Sequence, residues 1–475
     1  MLAHLPRLCI LFLATAAAAP LHTRGDEPVP SSPWSSYCGV NNGKAGVPIP
    51  PMPSGFTLKQ VQTFIRHGAR TRCSGDGTSC WSGDEKTQYS CTMNEEVGSS
   101  PTWVKNYIKG RNSLPGNCML GQLTEIGHDQ QIANGEALRA AYVGPNATVG
   151  NLLPLTMTPV DIDRDVFLRS DDVERTILSG QALAKGLLNL GVASSAKVPL
   201  AWNTMDIEQD NRNPNTNVCP AYLNALNTFE SSDAMKEFET SSLAPFLADV
   251  RPVLWKDNRT LGKEDVLLLW DCFWTHWCPG EASLRSAIPP ALLTQPKSGK
   301  GSLADRLSYL VGKSQGMLTT DKDVAKFGIG PLIGEFLKAM RPAADGATTA
   351  KKFVLYSGHD TGPMMPLLGA FGVFASDPFV FTPYASLISF ELVENTSSKL
   401  LFVRMVYNGN VMRIPWKGCG PVGGKDNWMC PWDSFISGAA ALVPTTEECA
   451  KKGQVSAPRS ALAGLRGHPL LHRRK

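Results

Sequence analysis

The chain has 475 residues, 43% of them hydrophobic, enough to bury a large core divided between two domains. Its formal net charge of +4 is concentrated at one end, because residues 451–475 carry seven basic residues and no acidic one. The rest of the chain is slightly acidic, which excludes the basic footprint of a nucleic-acid-binding protein.

Residues 1–19 have the form of a secretory signal. Arg7 supplies a positive charge, Leu8 to Ala16 an apolar core, and Ala16 to Ala19 a small-residue cleavage region. The apolar run is too short to span a bilayer, and no later stretch reaches the ~18 residues required. Leu462, Leu465, Leu470 and Leu471 near the end are interrupted by Arg466 and His468, against a lipid-anchor signal. The expected destination is the secretory pathway, either the extracellular space or a lysosomal or vacuolar lumen.

Secretion makes the 12 cysteines informative. Cys9 leaves with the leader, and the remaining 11 are read mainly as disulfides, with at least one thiol left free or paired between chains. No Cys-x-x-Cys pair exists, so zinc is not expected. Asn146, Asn258 and Asn395 each begin a glycosylation sequon.

Residues 20–55, rich in Pro, Ser and Gly, form an extended lead-in. Leu58–Ile65 is apolar and β-branched enough for a buried strand, and Arg66, His67 and Arg70 follow it directly. Guanidinium groups match the oxygens of phosphate, and a histidine between them can attack the phosphorus they hold. A long cysteine-containing loop then runs from Thr71 to Asn117, of a length that is functional or cross-linked. Gly121 to Gly127 opens a helix reaching about Tyr142. Val166–Arg169 is a second strand, followed by a helix for which Asp171 or Asp172 is a candidate cap, with Arg175 in its first turns. Val198–Ala201 is a third, shorter strand.

From 205 to 345 strand patterns give way to helical ones: Ala221–Phe229, Met235–Leu247, Ser302–Leu310 and Ala325–Met340. Lys352–Tyr356 then returns as a strand ending in Ser357-Gly-His359-Asp360-Thr361, and two more strands follow, Ser386–Leu392 and Leu400–Tyr407. This alternation around a helical middle predicts an α/β catalytic domain made of 56–204 and 346–450. A helical cap, 205–345, interrupts it, and a basic tail read as disordered, 451–475, follows. Taken singly, Arg175 has a plainer reading as a surface partner of Asp171 or Asp172, and Asp360 as a simple helix cap. Ser298-Gly-Lys-Gly-Ser302 and Gly328 to Gly334 lack the spacing of phosphate or dinucleotide loops.

Arg66-His67-Gly-x-Arg70, Gly121-Gln-Leu-Thr-x-x-Gly127, Arg169-Ser-x-Asp-Val-x-Arg175-Thr and Ser357-x-His359-Asp360-Thr361, in that order, resemble the histidine acid phosphatases. The resemblance extends from about Leu58 to Cys449. It implies a twisted, mainly parallel mixed sheet with helices on both faces. It implies His67 as the phosphorylated nucleophile and Asp360 as the acid that protonates the leaving alcohol. Arg66, Arg70, Arg175 and His359 would bind phosphate, and no metal or other cofactor would be needed. It further implies that Cys219 pairs with Cys449 and Cys419 with Cys430.

Physical chemistry is consistent with these roles. A phosphate ester repels a nucleophile, so cationic groups must neutralise it and hold it in line for attack. The same cations disfavour protonation of His67 and keep it nucleophilic in acid.

Ala69 is the residue of phytase-like members, and Arg72 stands where many members have Pro and is expected to face the leaving group. His359-Asp360-Thr361 resembles the acid phosphatases instead. The expected ligand is a small phosphorylated substrate, with inositol phosphates as one alternative and an inactive secreted binding protein on the same scaffold as another. A phosphoglycerate-mutase-like transferase shares only the Arg-His-Gly start. A homodimer is left open.

Overall fold

The computed structural model describes residues 37–39, 46–73, 80–91, 110, 113–189, 200–255, 263–279, 281–294, 301–376 and 381–451. The leader, much of the lead-in, Asn258 and the tail beyond Lys451 lie outside them.

The organising strand is β1, Phe56–Arg66, which is buried almost throughout. It pairs in parallel with β3, Phe353–Gly358, which pairs in parallel with β2, Val166–Ser170. On its other side β1 runs antiparallel to β4, Leu387–Asn395, and β4 to β5, Leu401–Tyr407. The short strands β6 (Asn410–Val411), β7 (Gly420–Pro421) and β8 (Trp428–Pro431) complete a mixed sheet with the path β2-β3-β1-β4-β5-β8-β7.

Alternation along β1 sends its side chains to two cores. Val61 and Ile65 face a cluster with Leu138, Ala141, Leu183 and Leu187. These come from helices α1, Glu125–Tyr142, and α2, Glu174–Leu188. Phe64 faces the other way, into a second cluster with Phe336, Tyr356 and Phe390. Helices thus cover both faces. Because a central strand has no wet face, its polar residues need partners within the protein. Gln62 donates to Phe336 O at 3.0 Å and to Gln60 Oε1 at 2.9 Å, and Gln60 donates to Lys351 O at 2.7 Å.

The described secondary structure between 221 and 345 is helical. Its main elements include α3, Lys263–Trp277, α4, Leu303–Thr320, and α5, Gly330–Ala344, followed after β3 by α6, Met364–Ala370. The helix expected over Met235–Leu247 is divided into Asp233–Phe238, a π turn at Glu239–Leu243, and Ala244–Leu254. Pro245 has no N–H to give to the preceding turn, which breaks the regular ladder there. Pro331 acts similarly where the Ala325–Met340 pattern resolves into Lys322–Gly328 and α5. The Ser302–Leu310 helix extends to Thr320 from a Ser302/Asp305 capping box. Of the strand expected at Val198–Ala201, residues 198 and 199 lie outside the described residues and Leu200 and Ala201 are not in a strand; β2 instead meets the isolated bridge partner Asn203. Core residues of α3, α4 and α5 belong to the same cluster as Phe64, so the inserted helices share their core with one face of the sheet.

Disulfides join Cys38–Cys278, Cys80–Cys272, Cys91–Cys118, Cys219–Cys449 and Cys419–Cys430. Ten of the 11 cysteines that follow the leader pair with one another in these five bonds, and Cys73 is the odd eleventh. Asn146 is exposed on a turn, and Asn395 ends β4. Among the described residues no helix is long and apolar enough to cross a membrane.

Phe64 stacks on Tyr356 at 4.6 Å between centroids and meets Phe336 and Phe390 edge-on at 6.0 Å. Phe64→Ala should cost about 3–5 kcal/mol through the cavity it leaves, measurable as a lowered midpoint in denaturant unfolding.

Candidate active site

Three adjacent parallel strands end together. β1 delivers Arg66 and His67, β3 delivers His359 and Asp360, and β2 leads through Asp171 to Arg175 in the first turn of α2. This is the carboxyl edge where open α/β sheets place ligands.

The turn after β1 is fixed by close backbone contact. A Cβ on Gly68 would lie 2.0 Å from Gly127 O, and one on Gly127 would lie 2.1 Å from Ala69 O. The glycines of the first two motifs thus touch, seating the first turn of α1 on the Arg66–Arg70 segment. Buried amides of α1 hold the same backbone: Gln131 donates to Arg66 O at 2.7 Å and Gln130 accepts from Ala69 N at 3.0 Å. Ser179 of α2 accepts from Gly68 N at 3.1 Å.

His67 is 1% exposed. Its Nδ1 lies 2.8 Å from Gly68 O, an acceptor only, so Nδ1 carries the proton and Nε2 keeps its lone pair. Burial, then Arg175, Arg70, Arg66 and His359, hold the His67 pKa well below its usual value. His359 stands edge-on to it, 5.4 Å between ring centroids. Asp171 fixes the orientation of His359, accepting from Nε2 at 2.7 Å, while Arg175 donates to Nδ1 at 3.3 Å. Burial lowers the basicity of His359 despite Asp171, and burial with the charge of Arg70 brings Arg175 down to about 10.

Arg66 is completely buried, 4.2 Å from the ring centroid of Tyr384, with Tyr37 and Phe381 also beside it. It donates to Tyr37 Oη at 2.7 Å and ion-pairs with Asp360 at 2.7 Å. Burial alone would raise the Asp360 carboxyl. Arg66 first, then Arg70 and His359, hold it below the ordinary carboxylate value. Arg70 donates to Asp271 Oδ1 at 2.7 Å. Arg70 also lines a cavity of about 380 Å³ whose other walls include Tyr89, Leu123, Ile126 and Leu284. A deprotonated imidazole nitrogen among three guanidinium groups, with a carboxyl beside it, can bind a phosphoryl group and attack it.

Residues 57–408 match the family model of the histidine phosphatase superfamily (branch 2). The chain belongs to this superfamily. It is a phosphatase, and its place among the histidine acid phosphatases agrees with its relatives. It is 28% identical over 413 residues to "Counting factor 60" of Dictyostelium discoideum, covering 82% of this chain and 87% of that one. It is 25% identical over 407 residues to "Lysophosphatidic acid phosphatase type 6" of Homo sapiens, covering 82% and 85%. It is 26% identical over 402 residues to "Lysosomal acid phosphatase" of Xenopus laevis, covering 82% and 77%. Among solved structures it resembles the phytase of Klebsiella sp ASR1, with a TM-score of 0.57 and 14% identity over 86% of this chain and all of that one. At that identity the likeness concerns the fold.

The structure of this histidine phosphatase corrects three local expectations. Asp171 and Asp172 do not cap α2, whose N-cap is Val173 without a side-chain bond; Asp171 is buried and turned to His359. Asp360 does not cap α6, which starts after Pro363; it ion-pairs with Arg66. Arg72 does not line the cavity beside Arg70. It is buried 3.6 Å from Asp84, which also accepts from His276 at 2.8 Å.

Residues that the motifs do not contain complete the site. Tyr37 comes from the lead-in, Tyr384 from the turn before β4, and Asp271 from α3 in the insertion. Asp271 spans two elements, its Oδ1 on Arg70 and its Oδ2 on the backbone N–H of Cys73 at 2.7 Å. Asp271→Asn should lower kcat/KM on an aryl phosphate about 10- to 100-fold, the scale of a hydrogen bond to a charged group. Asp249→Asn, removing a partner of Arg306 at the surface, should leave the rate unchanged. Steady-state kinetics of the two variants checks this.

Proposed function

We propose that this phosphatase is an acid phosphatase of the secretory pathway that works through a phosphohistidine on His67. The observation that carries the reading is the free Nε2 of His67, with Nδ1 tied to Gly68 O and the charges of Arg175, Arg70 and Arg66 around it. In the first step the Nε2 lone pair forms a bond to phosphorus while the P–O ester bond breaks. The departing alkoxide takes a proton from the Asp360 carboxyl. In the second step water attacks the phosphohistidine, Asp360 accepts a proton from it, the N–P bond breaks, and His67 is restored. Arg66, Arg70 and Arg175 hold the phosphoryl oxygens in both steps, and His359 joins them when it takes up a proton at Nδ1.

The ion pair with Arg66 keeps Asp360 ionised in mild acid. The required proton can then arrive with the substrate, because a phosphate monoester has its second ionisation near pH ~6. A monoanionic ester meeting a carboxylate has the same proton inventory as a dianion meeting a carboxylic acid. The leader and the disulfides support a lumenal setting, and the Xenopus relative bears the name of a lysosomal enzyme. The human relative's name points to phosphomonoesters of lipid type among possible substrates.

His67→Ala should abolish turnover of every ester and remove any acid-labile phosphoenzyme seen by rapid quench. Asp360→Asn should slow phosphoenzyme formation from an alkyl phosphate by about 10²–10⁴-fold, and much less from an aryl phosphate with a good leaving group. Equal losses on both would overturn the acid role of Asp360.

The pH profile has a defined sign. A depressed His67 pKa leaves the nucleophile neutral below its ordinary value of 6.5, so kcat/KM should show no acid limb near pH 6.5. On the basic side the rate should fall as the substrate loses its second proton. Replacing an ester by one with a lower second pKa should move that limb downward by the same amount in kcat/KM profiles.

A further inference from the structure

The cavity at Arg70 is built from three separate parts of the chain. Tyr89, Cys91 and Cys118 come from the cross-linked loop. Leu123 and Ile126 come from the turn into α1 and from α1 itself, and Leu284 from the segment after α3. The Cys91–Cys118 disulfide forms part of its wall. At about 380 Å³ it has the size of a small-molecule site. Leu123, Leu284 and Tyr89 are buried beneath it, and Ile126 is 38% exposed at its edge.

Charge around this cavity is one-sided. Arg70 is the single basic side chain among its described lining residues, and its charge already faces Asp271. The other ionisable lining groups are Glu125 and Glu281, both exposed carboxylates. Arg70 is the residue that this cavity shares with the phosphate-holding set, so a substrate body that passes Arg70 would enter it. A body carrying further phosphates would bring dianions toward two carboxylates with no cation beyond Arg70 among the described lining residues to receive them. An apolar body would be removed from water against leucine, isoleucine and tyrosine.

We propose that this cavity is the leaving-group subsite, and that it selects phosphomonoesters of uncharged alcohols with an apolar chain and rejects polyphosphorylated ones. The inference rests on the phosphatase reading above. Glu125 and Glu281 are its specificity-determining groups: they exclude by repulsion, whereas the apolar wall selects by burial.

The test compares kcat/KM of the full chain, at one acid pH, for four esters: an aryl phosphate, n-octyl phosphate, glycerol phosphate and inositol hexakisphosphate. Octyl phosphate should exceed glycerol phosphate by about tenfold or more, the scale of a few methylenes entering an apolar pocket. Inositol hexakisphosphate should be the poorest of the four. The double variant Glu125→Gln, Glu281→Gln, altered only at exposed positions, should raise the ratio of hexakisphosphate to octyl phosphate severalfold. Ile126→Ser should lower the ratio of octyl to glycerol phosphate. Turnover of the aryl ester with hexakisphosphate equal to or better than octyl phosphate would overturn the subsite alone, as would ratios unmoved by both variants. Failure to turn over any of the four esters would overturn the phosphatase reading, and the subsite with it.

Discussion

Three guanidinium groups converging on one buried imidazole would repel each other strongly. Two unit charges ~6 Å apart at an effective dielectric of ~20 repel by roughly 3 kcal/mol, and there are three such pairs. The fold meets this cost with carboxylates placed behind the cations: Asp360 against Arg66 and Asp271 against Arg70, with Asp171 behind His359, next to Arg175. Each carboxylate comes from a different part of the chain. The sheet, the turn after β2 and the inserted helix α3 must therefore all be in place for the proposed anion site to exist. The aromatic rings around Arg66 complete the arrangement by shielding a cation that has no exposure to water.

This dependence fits the way the helical insertion shares its main core with the sheet, beside a smaller cluster of its own around Tyr222, Phe229 and Leu318. Helices α3, α4 and α5 pack into the same cluster as Phe64 and Tyr356, with Trp270 of α3 edge-on and Trp274 tilted against Tyr37. Packing of this kind leaves α3 little freedom to rotate. That rigidity lets a single carboxylate on it serve Arg70 and the Cys73 amide together.

The residues of the candidate site were legible because strand ends carry them in short local motifs. Arg66-His67 and His359-Asp360 are each contiguous, and parallel pairing of β1 with β3 brings the two pairs side by side. The supporting residues were not legible in the same way. Asp271 is an acidic residue in an otherwise apolar helix, and Tyr37 is one aromatic in a lead-in without periodicity. Nothing local ties either to an arginine 201 or 29 positions away. Gln130, Gln131 and Asn134 gave a signal that could have been used, since three amides on one buried helical face require backbone partners. Local rules misled at Asp171 and Asp360. Both sit where a cap is ordinarily found, but a buried histidine and a buried arginine compete for them more strongly than helix amides do. Cysteine counting indicated disulfides but could not assign them, because pairing is decided by the folded path of the chain.

Two of those disulfides lie one residue from the groups that hold the arginines. Cys272 follows Asp271 and pairs with Cys80, and Cys38 follows Tyr37 and pairs with Cys278. They close loops of 192 and 240 residues, for which the lost chain entropy is on the order of 5 kcal/mol each. Until those bonds form, the lead-in and the cross-linked loop have no covalent tie to α3, and the partners of Arg66 and Arg70 are held by packing alone. Oxidation of these four thiols therefore fastens the lead-in and the cross-linked loop to α3 beside the very groups that hold the arginines.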